Sequence, residues 1–303
     1  MQDTALVVKD NRLIEASYKL TEAEQRIMMM AIAWARINVV DELTTDTWIE
    51  LQSKDYISLF ETDDKNAYRQ LKVAIKALAS RKLMVEVIDP ITSLPAILET
   101  DWVTNALYVE GAGLVRINLG KMIIPYIWRL EHRFTSYQIK SVKQLSGGYT
   151  VRLYELLLQY LIIGNRAFQI DELREILDAQ GKAYDRISNF KARVLDYAVE
   201  QINQLTDLLI CYETVKTGRS VSGFIFTIKS KKKKASLQKN VPKLADKKTD
   251  EPNIFLETLT LAEKNMLKNL VIKTGKTDTL LLQEASALGI GAFLAFDQML
   301  KDN

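Results

Sequence analysis

Ile187-Ser188-Asn189-Phe190-Lys191-Ala192-Arg193-Val194-Leu195-Asp196-Tyr197-Ala198-Val199-Glu200-Gln201-Ile202 decides the fold. Ile187, Phe190, Val194, Ala198 and Ile202 recur at helical spacing, so one face is apolar. The opposite face carries Ser188, Asn189 and Ala192, flanked by Arg186, Arg193 and Asp196. Upstream, Thr150 to Tyr160 reads as a strongly apolar helix, Phe168-Gln169-Ile170 as a short strand, and Asp171 to Leu177 as a second helix. Downstream, Leu208-Leu209-Ile210-Cys211-Tyr212-Glu213 and Phe224-Ile225-Phe226-Thr227-Ile228 flank Lys216-Thr217-Gly218-Arg219 as a hairpin. A helix, a second helix, a third with a polar outer face and then a hairpin is the order of a winged helix.

The same order occurs earlier in the chain. Leu6-Val7-Val8 is strand-like and leads into Asn11-Arg12-Leu13-Ile14. Thr21-Glu22-Ala23-Glu24 is a capping box, and Ile27, Met30, Ala31 and Trp34 carry a helix from it to about Asn38. Met28-Met29-Met30 reads as core filling rather than a cofactor site. Thr47 to Leu51 alternates as a strand, and Ser53 opens a helix with Tyr56, Leu59 and Phe60 inward. A third helix places Tyr68, Leu71, Ile75 and Leu78 on its buried face, and strand-like runs follow at Leu83 to Val87, Ile97 to Thr104 and Leu107 to Asn118. Leu71-Lys72 with Ile75 echoes Phe190-Lys191 with Val194. The expected fold is therefore α+β: two tandem winged-helix domains forming a pseudo-repeat, then a lysine-rich linker and a small helical C-terminal segment. The boundaries are 1–135, 136–230, 231–252 and 253–303. Thr260-Leu261-Ala262-Glu263 caps the last of these, with Met266, Leu267, Leu270 and Val271 as its apolar stripe.

Composition removes several chemistries. The 303 residues include 41 Lys+Arg, 38 Asp+Glu, one His and one Cys, a net charge of +3. Cys211 and His132 alone cannot build a Cys/His metal site, and Cys211 has no internal disulfide partner. His132 has no nucleophile signature around it, no phosphate-binding G-x-x-x-x-G-K-[ST] occurs, and Gly111-Ala112-Gly113 reads as a turn between strands. Asp63-Asp64 is an acidic pair in a turn, where a capping role outweighs nucleotidyl transfer. No catalytic residue, metal or cofactor is expected. No apolar run reaches the ~18–20 residues that span a bilayer, so a cytoplasmic protein without membrane contact is expected.

The outer faces of the two third helices suit double-stranded DNA. In the second module Arg can bond guanine bidentately, Asn can bond adenine, and Ala192 admits close approach. Lys182, Arg186, Ser188, Asn189, Lys191 and Arg193 are the candidates there, with Lys216 and Arg219 in the hairpin turn. In the first module Asn66, Arg69, Gln70, Val73 and Lys76 form the corresponding face, with the candidates Lys65 and Lys72, and Arg81 and Lys82, at its margins. Long cations beside a groove meet phosphates, so the first face positions and the second reads sequence.

Leu145-Ser146-Gly147-Gly148-Tyr149-Thr150-Val151-Arg152-Leu153-Tyr154-Glu155-Leu156-Leu157 resembles the start of the second winged helix in the plasmid replication initiator (Rep) proteins. Three further stretches share the likeness, which covers Leu6 to Lys229: Asn11 to Ile14 with Leu20 to Ile27; Phe168 to Arg174; and Phe190 to Leu195 with Ala198, Ile202 and Asn203. The resemblance implies monomers that bind directly repeated origin sequences, the iterons, through both winged helices. It implies opening of an adjacent A+T-rich segment and recruitment of the host initiator and replicative helicase. It also implies a monomer–homodimer equilibrium, with dimers formed through the first module repressing the protein's own promoter and limiting copy number. No covalent chemistry belongs to that scheme. Rolling-circle initiators use a His-x-His metal site beside a tyrosine, which a chain with one histidine cannot supply. A tandem winged-helix transcription regulator remains the alternative.

Overall fold

The structure, a computed structural model, describes residues 1–62, 65–89, 91–130 and 133–231. The expected linker and C-terminal helix, from residue 232 on, lie outside them, as do His132 and Asp63-Asp64. Residues Met1–Lys231 form one compact unit.

Its first half runs β1 (Leu6–Asp10), α1 (Asn11–Glu15), α2 (Glu22–Asn38), β2 (Ile49–Gln52), α3 (Ser53–Phe60) and α4 (Ala67–Ala79). The Thr21 hydroxyl accepts from the Glu24 amide and the Glu24 carboxylate accepts from Thr21 N–H, so the capping box starts α2 as expected. The expected one-sided stripe on α2 is wider than its spacing suggested. Ile27 through Ala33 are all buried, because β1, β2 and α4 cover the helix from different sides. Met28, Met29 and Met30, unbranched and adaptable, fill that shared core.

After α4 come β3 (Lys82–Ile88), β4 (Pro95–Asp101), β5 (Val103–Val109) and β6 (Leu114–Leu119). The run expected from Ile97 to Thr104 breaks at Trp102, which is 1% exposed and packs edge-on to Tyr18. The run from Leu107 to Asn118 is two strands, reversed at Gly111 and Gly113, whose φ values of 83° and 60° favour glycine. Strands β2, β6 and β5 form an antiparallel sheet in that order, and β3–β4 is a separate hairpin.

The second half repeats the plan. After β7 (Phe134–Gln138) come α5 (Gly148–Leu158), β8 (Asn165–Gln169), α6 (Ile170–Ile176), a long third helix, β9 (Leu208–Thr217) and β10 (Ser220–Ser230). The sheet order β8-β10-β9 reproduces β2-β6-β5, so each module is a winged helix and β3–β4 is an insertion in the first. The third helix comprises α7 (Ile187–Phe190), a π-helical stretch (Lys191–Asp196) and α8 (Tyr197–Leu205).

Physical reasons for that widened turn lie in the sequence. Phe190, Val194, Ala198 and Ile202 repeat every four residues, whereas an α-helix turns once per 3.6, so an unbroken helix would rotate each successive one by about 40°. A π turn holds more residues and takes up the drift. All four residues are buried, and Leu195 joins them.

Polar groups buried between the modules join them. Strand β1 pairs with β7, so the first module leaves from and returns to one two-stranded neck. Lys9 Nζ on β1 donates to Glu155 Oε1 on α5 at 2.7 Å, with side chains 5% and 1% exposed. The Tyr137 hydroxyl donates to the same oxygen. Burial alone would lower the Lys9 pKa, but attraction to Glu155 and Tyr18 together with the Glu155 hydrogen bond outweighs it, and the net shift is upward. Arg152, one turn earlier, donates to the Ala16 carbonyl at 2.6 Å and the Ile176 carbonyl at 3.0 Å, its guanidinium 3.7 Å over the Tyr18 ring. Arg166 clamps Glu15 with bonds of 2.7 and 2.6 Å. At Gly148 a Cβ would stand 2.6 Å from the Leu20 carbonyl, so only glycine lets the modules meet there.

Breaking such a pair strands a charge without water. Lys9→Met should lower unfolding free energy by ~3–5 kcal/mol in urea titrations. The Lys9→Met/Glu155→Gln chain, which removes the orphan charge and keeps the Tyr137 hydrogen bond, should recover much of that loss.

Candidate nucleic-acid interface

The outer face of the second module's third helix begins with a tethered loop. Arg174 donates to the carbonyls of Tyr184 and Asp185 at 2.9 and 3.0 Å, and its guanidinium lies 5.3 Å from the Phe190 ring centre. This fixes the entry to α7. Lys182 sits in the short 3-10 turn before it, and Arg186 immediately precedes α7; both are exposed. Ser188, Ala192 and Arg193 are also exposed, and Asn189 is half-buried. The Asn189 amide donates to the Ala183 carbonyl at 3.2 Å, so it braces the loop as well as facing outward.

Lys191 is half-buried, its Nζ 5.6 Å from the centre of the Tyr212 ring on β9. The Tyr212 hydroxyl donates to Asp196, and burial, with that carboxylate, raises the phenol's pKa. The base of the wing is thereby fastened to the reading helix. Lys216 and Arg219 lie at its far end, exposed, on either side of Gly218 at φ 61°. The wing is longer than its apolar core predicts, since Thr214 to Lys216 pair with Phe224, Gly223 and Val221 beyond the alternating stretch.

On α4 of the first module, Arg69, Gln70, Lys76 and Val73 are exposed, as is Lys65 just before the helix; Asn66 and Lys72 are half-buried. Arg69 donates to Asn66 Oδ1 at 3.0 Å. Lys72 pairs with Glu110 in the β5–β6 turn, and Lys72 and Lys76 both approach the Tyr108 ring, at 5.6 and 5.7 Å from its centre. Hydrogen bonding to Glu110 raises Lys72 above the ordinary lysine value and holds Glu110 below the ordinary carboxylate value. Two of the helix cations therefore lean on their own wing. Arg81 and Lys82 at the margin are held by Glu24 and Asp101, at 3.1 and 2.6 Å.

The structure thus brings each group of expected residues to one helix face with its adjoining wing. Sequence reasoning missed the braces. Tyr108, Glu110, Arg174 and Tyr212 carry no motif of their own, and only the strand register places them beside a helix. Among the described residues no group of three or more His, Cys, Asp or Glu is placed to hold a metal ion. No helix among them is long and apolar enough to cross a membrane.

Comparison with known proteins agrees with the two-domain fold. Residues 6–158 match the family described as initiator replication protein, WH1, and residues 169–228 match initiator Rep protein, WH2. An uncharacterised 27.6 kDa protein of Escherichia coli is 25% identical over 233 residues, covering 73% of this chain and 93% of that protein. A replication initiation protein of Escherichia coli is 23% identical over 228 residues, covering 74% of this chain and 69% of that one. The Pi initiator protein, solved in complex with iteron DNA, superimposes with a TM-score of 0.62 at 22% identity, over 75% of this chain and 98% of that one. Two winged helices in tandem, matched along both halves, place this chain in the initiator replication (Rep) protein family.

Proposed function

We propose that the chain starts plasmid replication by binding directly repeated double-stranded DNA, the iterons, at the origin. One observation carries this reading: a single compact unit presents two third helices, each with exposed cations and an adjoining wing. Two such helices in one monomer suit a repeat longer than one helix can cover. The Pi initiator, of the same fold, was solved on iteron DNA. The protein acts by binding alone, without covalent chemistry. Origin opening and recruitment of the host initiator and replicative helicase complete the role.

The same reading includes a homodimer that represses its own promoter. The β3–β4 hairpin supports it. Met84, Ile88, Ile91, Leu94 and Ile97 are 49–90% exposed there, more apolar surface than two strands usually leave in water. Footprinting on DNA flanking the chain's own coding sequence tests the proposal. An array of protected direct repeats is the expected result; a single operator footprint would make the protein a transcription regulator.

Arg193→Ala should cost ~1–3 kcal/mol on the protected repeat and less on random DNA, as gel-shift titrations would show. Equal losses on both would mean that Arg193 meets phosphate. Removing a phosphate-contacting cation from α4, as in Lys76→Ala, should shrink the slope of log affinity against log salt by about 0.9. An unchanged slope with relaxed base preference would assign base reading to α4.

A further inference from the structure

Residues Ser146–Tyr149, the loop end and first residues of α5, touch the third helix of the second module at its π-helical stretch. The Tyr149 hydroxyl donates to the Arg193 carbonyl at 3.0 Å, and its ring packs edge-on against Tyr197 at 6.2 Å. Ser146 adds three bonds: its amide donates to Gln201 Oε1 at 2.8 Å, its hydroxyl meets the Tyr197 hydroxyl at 2.7 Å, and it accepts from Gln201 Nε2 at 2.9 Å. Burial raises the pKa of the Tyr149 phenol, which keeps it a donor. The other side of this loop is fixed to the first module. Gly147 N–H donates to Glu22 Oε2 at 2.8 Å, and Gln25 donates to the Gly148 carbonyl at 2.8 Å.

Widened helical turns are less regular than α-helix, and an outside donor on one of their carbonyls favours one arrangement over others. Here the donor meets the carbonyl of Arg193, the residue assigned above to base reading. We propose that Tyr149 is a positioning residue for sequence recognition, holding the π-helical stretch so that Ala192 and Arg193 face the groove. Through Glu22 and Gln25 the first module anchors the loop that does this, so the second module's reading face is set partly from outside it. The inference rests on the DNA-reading role proposed above and names a determinant of it.

The test compares full-length wild type, Tyr149→Phe, Arg193→Ala and the double variant on two duplexes, one carrying the footprinted repeat and one with it scrambled. Tyr149→Phe keeps the ring and should melt with the wild type. It should lose roughly 3- to 10-fold in affinity for the repeat, the range for one hydrogen bond, and nothing on the scrambled duplex. The double variant should bind the repeat no more weakly than Arg193→Ala, because Tyr149 acts through Arg193. Wild-type discrimination by Tyr149→Phe, or additive losses in the double variant, would overturn the proposal. A wild type that fails to prefer the repeat would instead overturn the DNA-reading role, and this inference with it.

Discussion

A carboxylate and a guanidinium one turn apart on α5, Glu155 and Arg152, are both out of water, and neither can stay so alone. Each has a partner on the first module: Lys9 for Glu155, the Ala16 carbonyl for Arg152. Helix α5 is thus the first helix of one winged helix and also the surface on which the other docks. Arg-Leu-Tyr-Glu-Leu-Leu, the run most characteristic of the family resemblance, is explained by this. Its apolar residues fill a core, and its two charges fix the angle between domains. Charged contacts of this kind tolerate little misalignment, so they favour one arrangement where an apolar seam would allow several.

The reading helix shows a related economy. Its four-residue repeat drifts around a straight α-helix, and the π-helical stretch reduces that drift within the segment that carries Ala192 and Arg193. Irregular helix occurs where position matters most. Neighbouring side chains contact it: Arg174 at the entry, Tyr212 from the wing and Tyr149 from the start of α5.

Much of this was legible in the residues. Capping at Thr21, the inward faces of α3 and α4 and both wings follow from periodicity and turn chemistry, which are local. The exposed cations were legible too, since a helical wheel separates two faces without knowing the fold. What stayed hidden was non-local. Nothing near Lys72 in sequence announces Glu110, and nothing near Arg152 announces Ala16; strand register and domain docking make those meetings. The burial of α2 from Ile27 through Ala33 was hidden for the same reason, as a stripe predicts one neighbouring layer and this stretch has several. The four-residue spacing of Phe190 to Ile202 was visible, yet its consequence needs the sheet that all four must face.

The two-stranded neck has a consequence for synthesis. Strand β1 is made first, but its partner β7 follows more than a hundred residues later, which at ribosomal speeds is on the order of ten seconds. During that interval a strand with a free edge is available to the wrong neighbour, a recognised route to aggregation. Lys9 and Asp10, two charges in a five-residue strand, oppose such mispairing. Once β7 arrives, Lys9 is absorbed by Glu155, and Asp10 caps α1 by accepting from the Arg12 amide. The same two side chains guard the nascent chain and then join the finished one.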